Sequence, residues 1–338
     1  MLLLRAMLQP AVRVVDALPS GADLAIVGGG AIGCATAFFA ARAGLRVVVL
    51  ERRPALATLT TSASAGAFRL QFDNAEEIAL VREGIDLFDD FGARTGLDGW
   101  DLGLRHGGYL FCSLTDASLA RAGDLVARQR DWGLTDVELM TGDEARSRWP
   151  WLSPSVLGVR FRAGDGWLDP KALAIGYATA ASDAERIPDA SGGGSASFLP
   201  GTDVAGVLLT SDGSRARGLR TSRGDLEADA VLLAAGPFLG HVASTAEIEL
   251  PIAPTRRQKL VIPQLASVPA WEATRPRKGP AASTNASASR SPREVRSPRR
   301  RDPSWLGSTP VTSVRGRKVA DPPPGASGIR SGFEAAVA

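Results

Sequence analysis

The stretch ADLAIVGGGAIG, residues 22–33, decides the fold. Its apolar run Leu24–Val27 leads directly into a glycine-rich turn, and Ala-rich sequence then continues to Gly44. A second apolar run, Leu45–Leu50, follows and ends in Glu51. This order predicts a strand, a tight turn, a helix and a second, parallel strand. Apart from Arg46, both strands are continuous apolar runs, as a parallel sheet that is covered on both faces requires.

The glycine-rich turn has the spacing G-x-G-x-x-G, in which each glycine has a separate function. Gly28 permits the tight turn, Gly30 lets the backbone approach a pyrophosphate, and Gly33 lets the helix pack closely on the sheet. The N-terminus of the helix offers free N–H groups and a positive dipole to phosphates. Glu51 can accept hydrogen bonds from a ribose diol and would repel a 2′-phosphate, which argues against NADP. The pattern predicts a dinucleotide-binding βαβ unit without distinguishing NAD from FAD.

Further elements are predicted along the next 200 residues. Apolar periodicity predicts helices over 74–95 and 117–132 and strands over 108–114 and 156–162. Asp169 followed by Pro170 is typical of a helix start. Residues 182–198, rich in Ser, Gly and Ala, are predicted to form a surface loop. An antiparallel meander of three strands is predicted over 204–210, 218–221 and 226–235.

Length and composition indicate a globular protein of about two domains, with a change near residue 270. The chain has 338 residues, of which 44% are hydrophobic. Residues 272–338 carry 13 Lys and Arg against 5 Asp and Glu, a net charge of +8, which leaves −5 for residues 1–271. The net positive charge of the chain therefore comes from residues 272–338 and does not indicate a nucleic-acid-binding protein. Because apolar periodicity ends near residue 270, we expect residues 272–338 to be disordered.

The cysteines and the N-terminus give weaker indications. Cys34 and Cys112 form no CxxC pattern, so neither a disulfide framework nor a metal site is indicated, and Cys34 is predicted to be a buried, inert thiol.

Residues 1–8 are apolar but interrupted by Arg5, and the run is too short for a membrane span or a signal-peptide core. A disordered or over-extended start is the favoured interpretation. With no later bilayer-length stretch, a cytoplasmic protein without a membrane partner is predicted.

Beyond Glu51, the sequence resembles the D-amino acid oxidase and sarcosine oxidase family of FAD-dependent oxidoreductases. The resemblance covers roughly residues 23–261 and rests on these motifs in order: ADLAIVGGGAIG, LRVVVLE, TTSASAGAFRLQF, HGGYLF, RWPWLSP, GDGWLDP, LEADAVLLAAGPF and LPIAPTRRQKLV. It implies an α/β fold, with a Rossmann-like FAD-binding domain and an interleaved α+β substrate domain that is incomplete here. The expected boundaries are an N-terminal extension over 1–20, the FAD-binding domain over 21–80 and 165–240, the substrate domain over 81–164 and 241–271, and the disordered basic tail over 272–338.

The resemblance also implies which residues hold FAD. By position, these are Gly28, Gly30, Ala31, Ile32 and Gly33 at the pyrophosphate, Glu51 and Arg52 at the adenosine ribose, Thr61, Ser62, Ala65 and Arg69 along the phosphates and ring, Val204 at the adenine, and Ala235 and Gly236 over the cofactor. Some relatives attach the flavin through a His near the Ser-rich segment. Here that neighbourhood reads Ala63-Ser64-Ala65, so we expect non-covalent FAD.

The activity that the resemblance implies is oxidation of an amine or amino acid. A hydride equivalent leaves the carbon next to nitrogen for flavin N5, and the imine product hydrolyses. Because the flavin supplies this chemistry, no general base is required and no catalytic residue is assigned. Weak candidates are His106, near the ring in the family layout, Tyr109, facing the substrate cavity, and Lys259, as a positive charge near the flavin. Solvation or packing explains such residues more often. The expected partners are the small-molecule amine or amino acid and oxygen or another electron acceptor.

The sequence departs from the family after residue 271. The family's C-terminal part supplies more of the substrate sheet, a glycine-rich cover for the flavin and usually the Arg or Tyr that binds a substrate carboxylate. None of these is recognisable in 272–338, whose composition resembles GC-rich DNA translated in the wrong frame. We therefore expect a frameshift or a mispredicted splice near Ala270. A genuine basic tail, in which Arg299–Arg301 contact nucleic acid or an acidic partner, is the less favoured alternative.

Two other functions stay open at this point. The first is a catalytically inactive, truncated FAD-binding remnant. The second is an NAD-dependent dehydrogenase, which requires a second nucleotide-binding half that the sequence after Glu51 does not show.

Overall fold

The computed structural model describes residues 12–183 and 187–255 and a two-residue strand at 336–337. The helices are α1 (Ala31–Arg42), α2 (Thr60–Ala63), α3 (Ala75–Asp89), α4 (Phe91–Thr95), α5 (Asp116–Asp131), α6 (Gly142–Arg148), α7 (Pro170–Ala181) and α8 (Leu239–Ser244), with a 3-10 turn at Gly236–Phe238. The strands are β1 (Ala22–Val27), β2 (Arg46–Glu51), β3 (Ala67–Phe68), β4 (Tyr109–Ser113), β5 (Glu138–Thr141), β6 (Gly158–Arg162), β7 (Gly166–Trp167), β8 (Ser195–Pro200), β9 (Val204–Leu209), β10 (Ala216–Thr221), β11 (Gly224–Leu233) and β12 (Ala336–Val337).

The larger sheet has six strands in the order β8-β2-β1-β11-β10-β9. β8, β2, β1 and β11 run parallel, and β11, β10 and β9 form an antiparallel meander. The predicted βαβ unit and the predicted meander are both confirmed, with ends that differ by a few residues. Because β2 lies on one side of β1 and β11 on the other, the chain reverses its winding direction at β1, where α/β sheets open a crevice.

Alternating side chains of the parallel strands bury two faces of this sheet. Ile26 and Val49 pack with Phe198 against α1 and α7. Val27 and Leu50 point to the opposite face, in a cluster with side chains of the meander. The sheet is therefore covered on both sides, as the continuous apolar runs predicted.

Helix α7 begins where the sequence predicted a helix start. The Asp169 side chain accepts hydrogen bonds from the backbone amides of Lys171 at 2.8 Å and Ala172 at 3.1 Å, with Pro170 in the first helical turn. This N-cap satisfies two amides that have no partner within the helix. Further along the helix, Tyr177 is buried and lies edge-on to Phe91, with ring centroids 5.1 Å apart.

The smaller sheet has the order β12-β4-β6-β5 and is antiparallel. One face carries a separate apolar cluster that includes Leu110, Trp149, Val159 and Phe161. Strands β4 and β6 match the predicted ones, whereas β5 and α6 were not predicted. The short ladder of β3 and β7 links the segment after the glycine-rich turn to the end of β6.

The structure departs from the sequence-based expectations at four places. The helix expected over 74–95 is broken at Asp90, which ends α3 and begins α4. The loop expected over 182–198 ends in β8, because the alternating Ala196 and Phe198 are fully buried. Val14, within the expected extension, bridges to Phe198. Residues 336–337, within the expected disordered tail, form β12 beside β4.

The remaining expectations for the two ends of the chain concern residues 1–11 and 256–335, which lie outside the described residues. Among those that are described, no helix is long and apolar enough to cross a membrane.

Candidate dinucleotide site

The glycine-rich turn brings β1, α1 and β11 into close contact. Gly28 has a φ of +110°, and a Cβ there would lie 2.4 Å from the Ala234 carbonyl oxygen. A Cβ on Gly33 would lie 1.9 Å from the Gly28 carbonyl oxygen. Both positions exclude any side chain, which agrees with the functions assigned to these glycines from the spacing.

The N-terminus of α1 opens beside this turn. Gly30 is the N-cap residue and has no side chain with which to cap the helix. The Thr61 hydroxyl instead accepts a hydrogen bond from Ala31 N at 3.1 Å, which brings the segment after β2 against the helix end. With no acidic residue in its first turn, α1 directs a positive dipole end and backbone N–H groups toward this space.

The Glu51 carboxylate is held by two backbone amides. Gly29 N donates to Glu51 Oε2 at 2.8 Å, and Arg53 N donates to Glu51 Oε1 at 2.8 Å. These hydrogen bonds fix the carboxylate against the turn at the end of β2. An ionised carboxylate has about four acceptor positions, so two remain for a ligand hydroxyl pair.

A cavity of about 240 Å³ lies at the carboxyl edge of the four parallel strands. It is lined by the segments that follow β1, β2, β8 and β11. Eight of the predicted FAD-contacting residues line it: Gly28, Gly30, Glu51, Arg52, Thr61, Val204, Ala235 and Gly236. The structure therefore brings together residues that are up to 208 positions apart in the chain.

The other predicted FAD-contacting residues do not line this cavity. Ala31 and Gly33 lie in the first turn of α1, and the Ile32 side chain is 69% exposed. Ser62 and Ala65 are exposed on the segment that follows β2. Arg69 lies against the smaller sheet, among the rings of Phe72, Tyr109 and Phe111.

Several lining residues were not predicted from the sequence. Thr202 and Asp203 follow β8, and their absence from the prediction is a consequence of the missed strand. Phe238 and His241 follow β11, and the Arg52 guanidinium lies over the Phe238 ring at 4.5 Å. This cation–π pair joins the segments after β2 and β11 at the cavity.

The lining fits a dinucleotide. Thr202 is 1% exposed, and its hydroxyl is buried without a hydrogen-bond partner among the described residues. A buried unpaired hydroxyl is costly unless a ligand or water satisfies it. Together with the open helix end and the Glu51 carboxylate, the cavity offers separate places for phosphates and for a sugar diol.

Of the three weak catalytic candidates, the two that lie within the described residues, His106 and Tyr109, do not line the cavity. His106 Nε2 is 2.6 Å from Asp89 Oδ1 and Nδ1 is 2.9 Å from the Gly164 carbonyl oxygen, so both ring nitrogens face acceptors. Burial lowers the pKa of His106, whereas the hydrogen bonds to Asp89 and Gly164 raise it. The effects that raise the pKa outweigh those that lower it, so the pKa lies above its usual value. Tyr109 stacks near Phe111 with centroids 5.1 Å apart. Lys259 lies outside the described residues.

A buried polar network connects the segment after β3 to the smaller sheet. Asp165 is fully buried and accepts hydrogen bonds from Leu70 N at 2.9 Å, Gln71 Nε2 at 3.0 Å and Arg162 Nη1 at 2.7 Å. Burial raises the pKa of Asp165, although these hydrogen bonds oppose the shift. Gln71 in turn accepts from Arg160 Nε at 3.2 Å.

The two cysteines are free. Cys34 is fully buried, as predicted, and burial raises the pKa of its thiol to about 12, with a smaller contribution from the nearby Glu51 charge. Such a thiol is unreactive. Within the described part of the chain, no three His, Cys, Asp or Glu side chains are grouped as metal ligands.

Comparison with known proteins places this arrangement among flavoproteins. A sequence model of the family described as FAD dependent oxidoreductase matches residues 23–316. The match includes part of the segment 272–338 that the composition sets apart. Because residues 256–335 are outside the described residues, the frameshift near Ala270 stays a prediction.

Curated proteins with similar sequences are FAD-dependent or amino-acid oxidoreductases by name. FAD-dependent oxidoreductase domain-containing protein 1 of Xenopus laevis is 29% identical over 47% of this chain and 33% of its own length. Human mitochondrial sarcosine dehydrogenase is 26% identical over 70% of this chain and 25% of its own length. Glycine oxidase of Geobacillus kaustophilus is 28% identical over 71% of this chain and 61% of its own length. The chain thus spans from a quarter to about three fifths of these relatives.

Solved structures share the fold. Glycine oxidase from Geobacillus kaustophilus superposes with a TM-score of 0.58 and 25% identity, covering 69% of this chain and 60% of that one. L-proline dehydrogenase from P. horikoshii superposes with a TM-score of 0.60 at 22% identity, covering 70% of this chain and 58% of that one.

Proposed function

The chain belongs to the FAD-dependent oxidoreductase family, and from this membership we propose that it oxidises the C–N bond of a small amine or amino acid, with FAD bound non-covalently in the cavity beside Gly28 and Glu51. The observation that carries the proposal is the convergence of the glycine turn, the α1 N-terminus and Glu51 on one cavity at the carboxyl edge of the parallel strands.

The proposed binding functions follow from the chemistry of each lining group. The backbone of Gly28 and Gly30 and the first turn of α1 hold the pyrophosphate, because free N–H groups and the helix dipole favour phosphate there. Glu51 accepts from the adenosine ribose with the oxygen positions that Gly29 and Arg53 leave unused. Thr202 gains a partner for its buried hydroxyl when the cavity is filled.

The chemistry that FAD supplies is acceptance, at N5, of a hydride equivalent from the substrate carbon next to nitrogen. That hydride equivalent carries both electrons, the substrate nitrogen gives up one proton in addition, and the imine that remains would be hydrolysed by water to a carbonyl compound and an amine or ammonia. The residues that line the cavity would position the cofactor. No general base is proposed, because the flavin supplies the chemistry and neither His106 nor Tyr109 lines the cavity.

The names of the relatives support this substrate range. Sarcosine dehydrogenase and glycine oxidase act on small secondary and primary amino acids, as their names state. We propose the same class for this chain, with oxygen or another carrier as the electron acceptor.

Turnover by the full chain tests the proposal. The purified protein, loaded with FAD, is mixed anaerobically with sarcosine, glycine, D-alanine or proline while flavin absorbance is followed. We expect bleaching by at least one of them, and reoxidation by air or by a dye then identifies the acceptor class. Bound flavin that dithionite reduces but none of the four substrates does would instead support the inactive FAD-binding remnant.

A further inference from the structure

The Arg223 guanidinium joins two segments of backbone at the carboxyl end of β8. Its Nη2 donates to the Pro200 carbonyl oxygen at 3.0 Å, and its Nη1 donates to the Asp16 carbonyl oxygen. Pro200 is the last residue of β8, and Asp16 belongs to the segment before β1. Arg223 itself lies in the two-residue turn between β10 and β11. One planar side chain therefore bridges three parts of the chain that are distant in sequence.

The segment before β1 lies along the outer edge of β8. Val14 forms a parallel bridge to Phe198, which pairs with β2 on its other side. Val15 N donates to the Phe198 carbonyl oxygen at 3.0 Å, and Phe198 N donates to the Arg13 carbonyl oxygen at 2.9 Å. These bonds satisfy backbone groups at the edge of the sheet. The bond from Arg223 then fastens the end of this segment beside the end of β8.

The β8–β9 turn, Gly201–Asp203, is bound on both sides of its central residue. Thr202 N donates to the Glu51 carbonyl oxygen at 2.9 Å. Asp203 N donates to Ser222 Oγ at 3.1 Å, and Ser222 N donates to the Asp203 carbonyl oxygen at 2.8 Å. Because the preceding end of β8 is bound by the next residue of the β10–β11 turn, that turn holds both flanks of Thr202.

Thr202 presents a buried hydroxyl at the cavity. The residue is 1% exposed, lines the cavity together with Glu51, and has a hydroxyl without a partner among the described residues. A hydrogen bond weakens steeply when its distance or angle departs from the preferred geometry. A ligand bond to this hydroxyl therefore depends on how firmly the β8–β9 turn is held.

We propose that Arg223 is a positioning residue of the cofactor site, which holds the β8–β9 turn so that the Thr202 hydroxyl meets the bound dinucleotide. The inference rests on the proposed function, because FAD is the ligand concerned. Arg223 does not line the cavity and acts only through the backbone at Pro200. The guanidinium fork has donors in a fixed plane, which suits two carbonyl groups from separate segments. The segment before β1 is thereby part of the support of the cofactor site.

A double-mutant cycle on the full chain tests this role. FAD affinity is measured by quenching of flavin fluorescence for the wild type, Arg223→Met, Thr202→Val and the combined variant. We expect Arg223→Met to weaken FAD binding about threefold to tenfold when the Thr202 hydroxyl is present, and less than about twofold when it is absent. A general loss of stability would act equally in both backgrounds.

Arg220→Met is the matched control. Arg220 lies exposed on β10 in the same hairpin and faces Asp225 at 3.6 Å, so its replacement should leave FAD affinity unchanged in both backgrounds. Arg223→Lys takes the place of Arg223→Met if the latter does not fold. It keeps the positive charge but loses the planar fork, and we expect a loss of about threefold that again depends on the Thr202 hydroxyl.

An equal loss with and without the Thr202 hydroxyl, or no loss in the Arg223 variant, would overturn the inference. If the wild-type chain binds FAD and the cycle shows no coupling, only this inference is removed. If the wild-type chain binds no FAD, the proposed function is removed together with it.

Discussion

Gly29 donates its backbone N–H to the Glu51 carboxylate across 2.8 Å, and so joins the turn after β1 to the end of β2. The two residues are 22 positions apart, but the parallel pairing of Val27 with Leu50 brings them together. The bond orients a charged group at the cavity before any ligand arrives. Pre-oriented groups lose little entropy on binding, so this pair is central to the proposed FAD site.

Glu51→Gln should weaken FAD binding while the protein stays folded. The amide keeps the size of the side chain but lacks the charge, and its NH₂ group would face the donors Gly29 N or Arg53 N. We expect a loss of roughly tenfold to a hundredfold in FAD affinity, measured by quenching of flavin fluorescence. Glu83→Gln, exposed on α3, should bind like the wild type. Equal affinities for the two variants would remove Glu51 from the site.

Gly33→Ala and Gly84→Ala should change stability in opposite directions, although both glycines are helical. The Cβ at position 33 would lie 1.9 Å from the Gly28 carbonyl oxygen, whereas nothing lies within 4 Å of one at position 84. We expect Gly33→Ala to cost about 1–3 kcal/mol and Gly84→Ala to contribute up to about 1 kcal/mol. Urea denaturation measures both. Similar values for the two variants would contradict the close approach of α1 to the turn.

The βαβ unit could be predicted because its signals are local. The strand run Leu24–Val27, the glycine spacing and the second run all occur within one continuous stretch, and observed ends differ from predicted ones by a residue or two. The same holds for Asp169 and Pro170 at the start of α7. At these places the local preferences and the tertiary environment favour the same conformation.

Strand β8 was not predicted, because the Ser and Gly content of residues 182–198 indicated a loop more strongly than the alternation of polar and apolar residues indicated a strand. In Ser195-Ala196-Ser197-Phe198, serine occupies every second position, and the intervening Ala196 and Phe198 are fully buried. Period-two alternation was thus present but weak. Recognising it would have placed Thr202 and Asp203 at a strand end and hence beside the cavity. The position of Arg69 beside Tyr109 and Phe111 depends on contacts with β4, which no local pattern records.

Asp165→Asn should destabilise the fold far more than Asp143→Asn. Each aspartate pairs with an arginine three positions away, Arg162 or Arg146, but Asp165 has a fully buried side chain and Asp143 one that is 95% exposed. Removing one partner of a buried pair costs about 3–5 kcal/mol, whereas an exposed pair contributes less than about 1 kcal/mol. Chemical denaturation of both variants measures the difference. Equal losses would show that burial does not control the effect.

His106 should stabilise the protein more at low pH than at high pH. Its pKa in the folded state is raised by Asp89 and Gly164, against the opposing effects of burial and of Arg162. The stabilisation is therefore fully present below the unfolded-state pKa of about 6.5 and is lost as pH rises through the folded-state pKa. The measurement is the stability difference between wild type and His106→Gln from pH 5 to pH 9.

We expect that difference to decrease as pH rises. In an Asp89→Asn background it should vary much less, because the carboxylate that raises the pKa of His106 is absent. A difference that is constant or grows with pH would contradict the assignment of a protonated His106 between two acceptors.

The visible absorption spectrum of the full chain after gel filtration is the most direct test of the FAD site. The cavity at Gly28, Glu51 and Thr202 predicts a flavin spectrum that co-elutes with folded protein and FAD that is released on denaturation. We expect the released FAD to be free of protein, because the segment Ala63-Ser64-Ala65 contains no histidine to which the flavin could be attached. Folded protein that elutes without flavin, even after incubation with FAD, would contradict the proposal that this cavity binds the cofactor.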